Sequence, residues 1–275
     1  MKAMDEHHFD SSRLAAMAIG AGKSESELLA EFCRGNAADA ALMMEAAGLG
    51  DYAQVEVISH RLRGCAMMFG ARHLAAACAG VSAATKTGKA NLVRLALDAF
   101  DRDAAVVADR IAERKERGEG ATRLTTRAPS ARLCAGLSIL AVDDHDFQRE
   151  LIVQLLRRLG AAEVLGVADG ASALKELSNP AHSRDIVILD LSMPEVMDGI
   201  ELMQALGKCE ATPAVILNSA QQAEHLKLSL QIARRCGLRV LGALAKPLTA
   251  TNLSPLVAAY RATRCPQLAR PEISS

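Results

Sequence analysis

The stretch Ile186-Val187-Ile188-Leu189-Asp190-Leu191-Ser192-Met193-Pro194 decides the fold. Four consecutive aliphatic residues run into an acid, and a turn follows. A short apolar run of this kind reads as a strand buried on both faces, as in a parallel sheet. Open α/β sheets carry their chemistry at the C-terminal ends of the strands, which is where the Asp190 carboxylate emerges. Taken alone, such an acid is more often a helix cap or a solvated turn residue. Its company changes the reading.

Three more apolar runs end on polar groups of complementary chemistry. Ser138–Val142 ends on Asp143-Asp144, Ala214–Leu217 on Asn218-Ser219-Ala220, and Val240–Ala245 on Lys246-Pro247. Parallel strands joined by helices bring these ends to one edge, where three carboxylates, a hydroxyl and an ammonium converge. Clustered acids suit a hard cation such as Mg2+, which takes oxygen ligands and offsets their mutual repulsion. The ammonium and hydroxyl suit the oxygens of a phosphoryl group. Helices over about 146–159, 169–178, 198–208, 221–236 and 249–262 alternate with the four runs and with a strand at Glu163–Val167. This is the pattern of a doubly wound α/β sheet.

In this order and at strand ends, the acid pair, Asp190, Ser219-Ala220 and Lys246-Pro247 resemble a two-component response-regulator receiver domain, with 137–262 as its extent. The resemblance implies a flavodoxin-like five-stranded parallel sheet of order 2-1-3-4-5. It makes Asp190 the phosphoacceptor, and Asp143, Asp144, Asp190 and the Ser192 carbonyl the Mg2+ ligands. Ser219 and Lys246 then hold the phosphoryl oxygens. Three departures stand out. One extra residue lies between Pro194 and Gly199. The chain from Ser219 to Lys246 is several residues longer than in most receivers, as in receivers attached to cyclic-di-GMP phosphodiesterases, which lengthens the fourth helix. Ala243 stands where many receivers carry an aromatic switch residue.

Residues 10–117 read as helices throughout. Asp10-Ser11-Ser12 caps a short helix ending near Gly20, Ser24 or Ser26 starts one running to about Gly48, and Asp51 caps a third through about Phe69. A fourth runs from Ala71 to about Lys86, and after Gly88 a long amphipathic helix continues to about Arg117. Long helices joined by short loops predict an antiparallel bundle. In the third, Val55, Ile58, Leu62, Cys65 and Phe69 form a stripe at three- and four-residue steps. His60 lies about 200° from Leu62 and faces away from that stripe. Gly64 sits one turn further on the His60 face, although a mid-helix glycine costs roughly 0.8–1 kcal/mol against alanine. Close approach by another protein's active-site loop accounts for it, with Arg63 beside it as a cation for phosphate. Val57, Met67 and Met68 read as a docking face around His60.

His60-Arg61-Leu62-Arg63-Gly64-Cys65-Ala66, with Gly70-Ala71, Leu74 and the earlier Leu28-Leu29-Ala30-Glu31-Phe32, resembles the signature of a histidine-phosphotransfer (HPt) domain. The resemblance implies a four-helix bundle with His60 as the phosphotransfer histidine. Arg63 stands where the family usually has lysine, which keeps the charge but changes the donor geometry. Gly20-Ala21-Gly22-Lys23-Ser24 looks like the tail of a P-loop, but residue 17 is methionine and no strand precedes it, so it reads as a loop and helix cap.

Composition sets the outer limits. The 275 residues carry 32 Lys and Arg against 32 Asp and Glu, so net charge is zero. The balance holds by part: 15 basic against 16 acidic residues over 1–117, 3 against 1 over 118–136, and 14 against 15 over 137–275. No part has the basic excess of a nucleic-acid footprint, and Trp is absent, which removes the usual base-stacking platform. No apolar run approaches the roughly 20 residues of a membrane span, and the first residues lack a signal-peptide core. Seven cysteines without a Cys-x-x-Cys pair read as reduced thiols in the cytoplasm.

The expected organisation is an HPt-like bundle over 1–117, a Gly-, Thr-, Ser- and Pro-bearing linker over 118–136, a receiver over 137–262 and a tail over 263–275 too short for an output module. The expected function is phosphorelay signalling between His60 and Asp190 by a phosphotransfer protein. Its receiver catalyses its own aspartyl phosphorylation and dephosphorylation. The expected partners are sensor or hybrid histidine kinases and other receiver or HPt proteins, without nucleic acid or membrane insertion. The alternative is an adaptor whose phosphorylation state regulates a protein partner through the lengthened fourth helix and fifth strand. A phosphatase with an aspartyl nucleophile is the weaker rival, because such enzymes usually place that nucleophile after the first strand.

Overall fold

The computed structural model describes residues 9–122, 132–179, 182–191, 199–208, 213–219 and 223–264. Two compact units result, a helical one holding the first five helices and a second one holding a parallel sheet.

In the helical unit the chain runs α1 (Ser11–Ala21), α2 (Glu25–Gly48), α3 (Tyr52–Phe69), α4 (Arg72–Thr85) and α5 (Ala90–Glu116). The starts obey local chemistry. The Asp10 carboxylate accepts from the Ser12 and Arg13 amides, and Ser24 forms a reciprocal capping box with Glu27. Asp51 accepts from the Gln54 amide at 3.0 Å. Each such cap satisfies amides that the helix itself leaves unpaired. Helices α2, α3, α4 and α5 pack as a closed ring, each touching the next and α5 returning to α2. The predicted stripe of α3 (Val55, Ile58, Leu62, Cys65 and Phe69) is buried in the core of this ring. Phe32 and Phe69 lie with ring centroids 4.3 Å apart at its centre.

Gly70 ends α3 with φ +75°, and the Asp10 amide donates to the Phe69 carbonyl at 3.0 Å. A Cβ at position 70 would sit 2.7 Å from both the backbone nitrogen and the Cβ of Asp10. Glycine is therefore required here twice over, by the left-handed backbone and by the close approach of the entering chain.

From Ser138 onward strands and helices alternate along the chain: β1 (Ser138–Val142), α6 (Asp146–Arg158), β2 (Glu163–Val167), α7 (Gly170–Leu177), β3 (Ile186–Asp190), α8 (Gly199–Leu206), β4 (Ala214–Ser219), α9 (Ala223–Arg235), β5 (Val240–Ala245) and α10 (Ala250–Arg264). All pairs are parallel and the strand order is β2-β1-β3-β4-β5, the doubly wound arrangement expected from the sequence. Every residue of β3 and β4 is buried, whereas β2 and β5 at the edges are partly exposed. The two central strands thus read as unbroken apolar runs because both their faces are covered. The longer segment between β4 and Lys246 includes the 13-residue α9, as long as α6. The register of β5 on β4 skips Leu241, and Gly242 then passes so close to α10 that a Cβ would lie 2.8 Å from Leu256.

At the opposite, N-terminal edge of the sheet, Arg184 is almost wholly buried. It donates to Ser138 Oγ at 2.9 Å and pairs with Glu163 at 2.8 Å and with Glu176. Asp185 accepts from the Ser138 amide at 2.9 Å and from the Tyr260 hydroxyl at 2.8 Å. These bonds tie β1, β3, α7 and α10 together below the strands. Among the described residues the five cysteines are free thiols. Burial pushes Cys78 up to about 12 and Cys134 up to about 11, which keeps both protonated near neutrality. No described helix is long and apolar enough to cross a membrane.

Replacing Gly70 with alanine is expected to destabilise the helical unit by about 2 kcal/mol or more, from left-handed strain and from displacement of Asp10. Urea unfolding followed by far-UV circular dichroism reads the loss, and an unchanged midpoint would show that the turn relaxes at no cost.

Candidate functional sites: an acidic strand edge and a helix-borne histidine

The C-terminal edge of the sheet assembles its side chains by register. Asp190 ends β3 opposite Asn218 of β4, and Ser219 of β4 lies opposite Ala245 of β5. Lys246 follows immediately, its amide donating to the Ser219 carbonyl at 3.0 Å, and the Lys246–Pro247 peptide is cis. Val142 of β1 pairs with Leu189 of β3, which sets Asp143 and Asp144 beside Asp190.

Lys246 is the centre of this edge. Its Nζ donates to Asp143 Oδ2 and to Asp190 Oδ2, both at 2.8 Å. All three side chains are at most 4% exposed. Burial alone would push the ammonium down, but Asp143 and Asp190 outweigh it, so Lys246 is held above the ordinary lysine value of 10.5. One carboxylate oxygen from each of Asp143, Asp144 and Asp190 lies within 4.8 Å of the others. Three oxygen donors at this spacing fit the coordination sphere of a hard divalent cation. Ser219 is fully buried at the strand end. The predicted ligand Ser192, the altered loop between Pro194 and Gly199, and Ala220 lie outside the described residues. Ala243 is half-buried against the core of the α7–α9 face.

The second constellation lies on α3. His60 is half-buried and faces away from the core stripe, and Gly64 shares its face. Apart from the helix's own backbone, no residue of the α1–α5 bundle lies within 4 Å of where a Gly64 Cβ would sit. Packing within the bundle therefore does not require glycine. Arg63 is exposed. Together with Arg13 of α1 and Arg72 of α4 it lines a groove of about 630 Å3 beside α3. Of the expected docking face, Val57 and Met67 are half-buried, but Met68 is only 4% exposed and belongs to the core. That part of the expectation is corrected: the 100° step per residue carries Met68 inward beside Cys65 and Phe69.

Several contributors escaped sequence reading. Ser59, next to His60, is buried and donates its hydroxyl to the Cys78 carbonyl at 2.7 Å, tying α3 to α4. Arg61 pairs with Asp39 of α2 at 2.6 Å. Neither pairing has a sequence signal, because the partners are 19 and 22 residues away.

Residues 27–114 match the family model described as the Hpt domain, and residues 139–258 match the response regulator receiver domain. The chain carries an Hpt domain followed by a receiver domain. Among curated relatives, the chain is 30% identical over 128 residues to the cyclic di-GMP phosphodiesterase RocR of Pseudomonas aeruginosa, covering 46% of this chain and 32% of that protein. It is 38% identical over 84 residues to protein-glutamate methylesterase/protein-glutamine glutaminase 2 of Koribacter versatilis, covering 30% and 22%. To the chemotaxis protein CheY of Bacillus subtilis it is 37% identical over 82 residues, covering 30% and 66%. The chain thus spans about a third or less of the first two relatives.

Replacing Lys246 with methionine is expected to destabilise the receiver by about 3–5 kcal/mol, because it leaves two buried carboxylates without their cation. The folded-state value of Lys246 is raised, so its contribution is complete below 10.5 and is lost only as pH rises through the higher folded value. The difference between the two proteins should therefore stay flat from pH 8 to 9. Denaturant titrations at the two pH values check both the size and the flatness.

Proposed function

We propose that the chain is a two-component phosphorelay protein and that Asp190 and His60 are its two phosphoryl-carrying residues. The observation that carries the reading is the buried Lys246 ammonium held between Asp143 and Asp190, with three acidic oxygens grouped beside it. An Asp190 oxygen attacks the phosphorus of a partner's phosphohistidine. The P–N bond breaks as the O–P bond forms, and the released imidazole takes up a proton. Lys246 shifts from the Asp190 carboxylate to a phosphoryl oxygen, and the Ser219 hydroxyl donates to another. This is nucleophilic carboxylate chemistry with charge stabilised by preorganised donors.

Mg2+ is the metal this reading assigns, held by Asp143, Asp144, Asp190 and the carbonyl of Ser192. When bound it neutralises the carboxylates and the incoming phosphoryl charge. On α3, an imidazole nitrogen of His60 attacks a phospho-aspartate, breaking its P–O bond, and Arg63 pairs with the transferred group. The partners are sensor or hybrid histidine kinases and other receiver or HPt proteins, and the protein turns over no separate substrate. Delivery of phosphate from such kinases places the chain in the cytoplasm.

Asp190→Asn should abolish labelling of the receiver by a small phosphoryl donor with Mg2+, whereas His60→Gln should leave it intact. Phosphate-affinity electrophoresis reads both, and full labelling of the Asn protein would reassign the acceptor. Gly64→Gln should leave helical content and melting nearly unchanged, since glutamine is a good helix former. Phosphotransfer to His60 should fall at least tenfold through steric block, and equal transfer rates would remove the access role of Gly64.

A further inference from the structure

The seam between α2 and α5 encloses a cavity of about 480 Å3 that the phosphoryl chemistry does not use. In the ring of helices this seam lies across from the one between α3 and α4, away from the helix that carries His60. Phe32 and Phe100, each 1% exposed, make the floor. Six alanines of the two helices form the walls, and their short side chains leave the space between the helices unfilled.

One polar side chain opens into this apolar space. Asn36 of α2 lines the cavity, and both its Nδ2 and its Oδ1 are buried without a hydrogen-bond partner. Each unsatisfied buried atom costs about 1–3 kcal/mol, so a carboxamide here is a liability to folding unless something pairs with it. Its natural complement is a group that offers a C=O acceptor and an N–H donor side by side. The backbone of a helix from another protein molecule does not provide that edge, because its groups are already bonded to one another. Exposed Asp101 at the mouth disfavours anions. The volume falls within the roughly 300–1,000 Å3 of small-molecule sites, which are mostly apolar with a few placed polar groups.

We propose that this cavity binds a compact, neutral, largely apolar molecule bearing a lactam or carboxamide edge. The Asn36 Nδ2–H donates to the ligand carbonyl, and the ligand N–H donates to Asn36 Oδ1. The ring system packs on Phe32 and Phe100 between the alanine walls.

The test uses the full 15N-labelled chain and 2-quinolone, a bicyclic lactam, followed by amide chemical shifts. Saturable shifts confined to α2 and α5 are expected. N-methyl-2-quinolone, which keeps the shape and the carbonyl but lacks the donor, should bind at least tenfold more weakly. Asn36→Leu should lose at least tenfold in affinity while melting no lower than the wild-type chain. Ala104→Phe, which fills the cavity from the α5 side, should abolish saturation while the folded spectrum is kept. Absence of saturable shifts up to the solubility of 2-quinolone overturns the proposal. So does equal affinity for the N-methyl compound, or undiminished binding by the Asn36 variant. A concentration-dependent dimer in sedimentation velocity that Ala104→Arg dissociates would assign the seam to a second copy of the chain and would likewise overturn it.

Discussion

A single buried ammonium organises the chemistry of the sheet unit. Lys246 reaches Asp143 and Asp190 at the same distance, with all three side chains nearly excluded from solvent. Taking such charges out of water is costly, and the arrangement holds because each charge faces its opposite. The strands supply the geometry. The β4–β5 register and the Lys246–Ser219 backbone bond fix where the lysine stem begins, while the β1–β3 pairing fixes the two carboxylates. A shift of one residue in any of these pairings would turn the side chains to the other face. The buried Arg184 network at the far edge of the sheet holds the same strands from below and leaves the upper edge to the acids.

In the helical unit, α3 carries the half-buried His60 and is held on both sides by its neighbours. The core stripe of α3 orients the helix, and the Ser59 hydroxyl and the Arg61 ion pair with Asp39 tie it to α4 and α2 on its two sides. His60 stands between these ties. Gly70 closes the helix where the entering chain at Asp10 passes too near for any Cβ. The alanine-walled cavity across the ring and the unpaired amide of Asn36 depart from this economy, since neither helps to hold α3.

How much of this was legible in the sequence follows from the range of each signal. Caps at Asp10, Ser24 and Asp51 act within three residues, and the structure places them where local chemistry puts them. The same holds for the α3 stripe and for the central strands, whose periodicities persist over a few residues. Strand ends were readable because an apolar run stops abruptly at a polar group. Exposure around His60 was harder to read: Val57 and Met67 stay half-buried, but Met68 turns into the core on its own helix.

The sequence by itself determined the element order, the doubly wound class of the second unit and the residue types available at its strand ends, all through patterns that repeat within one or two turns or pleats. The tertiary structure alone decided that Lys246 bridges acids 103 and 56 residues away. It also decided that β5 skips Leu241 to bring Gly242 against α10, that Ser59 and Arg61 lean on α4 and α2, and that Asn36 faces an alanine-walled seam. Those contacts depend on how elements distant in the chain pack, and a chain's local preferences carry no term for a partner that only packing brings near.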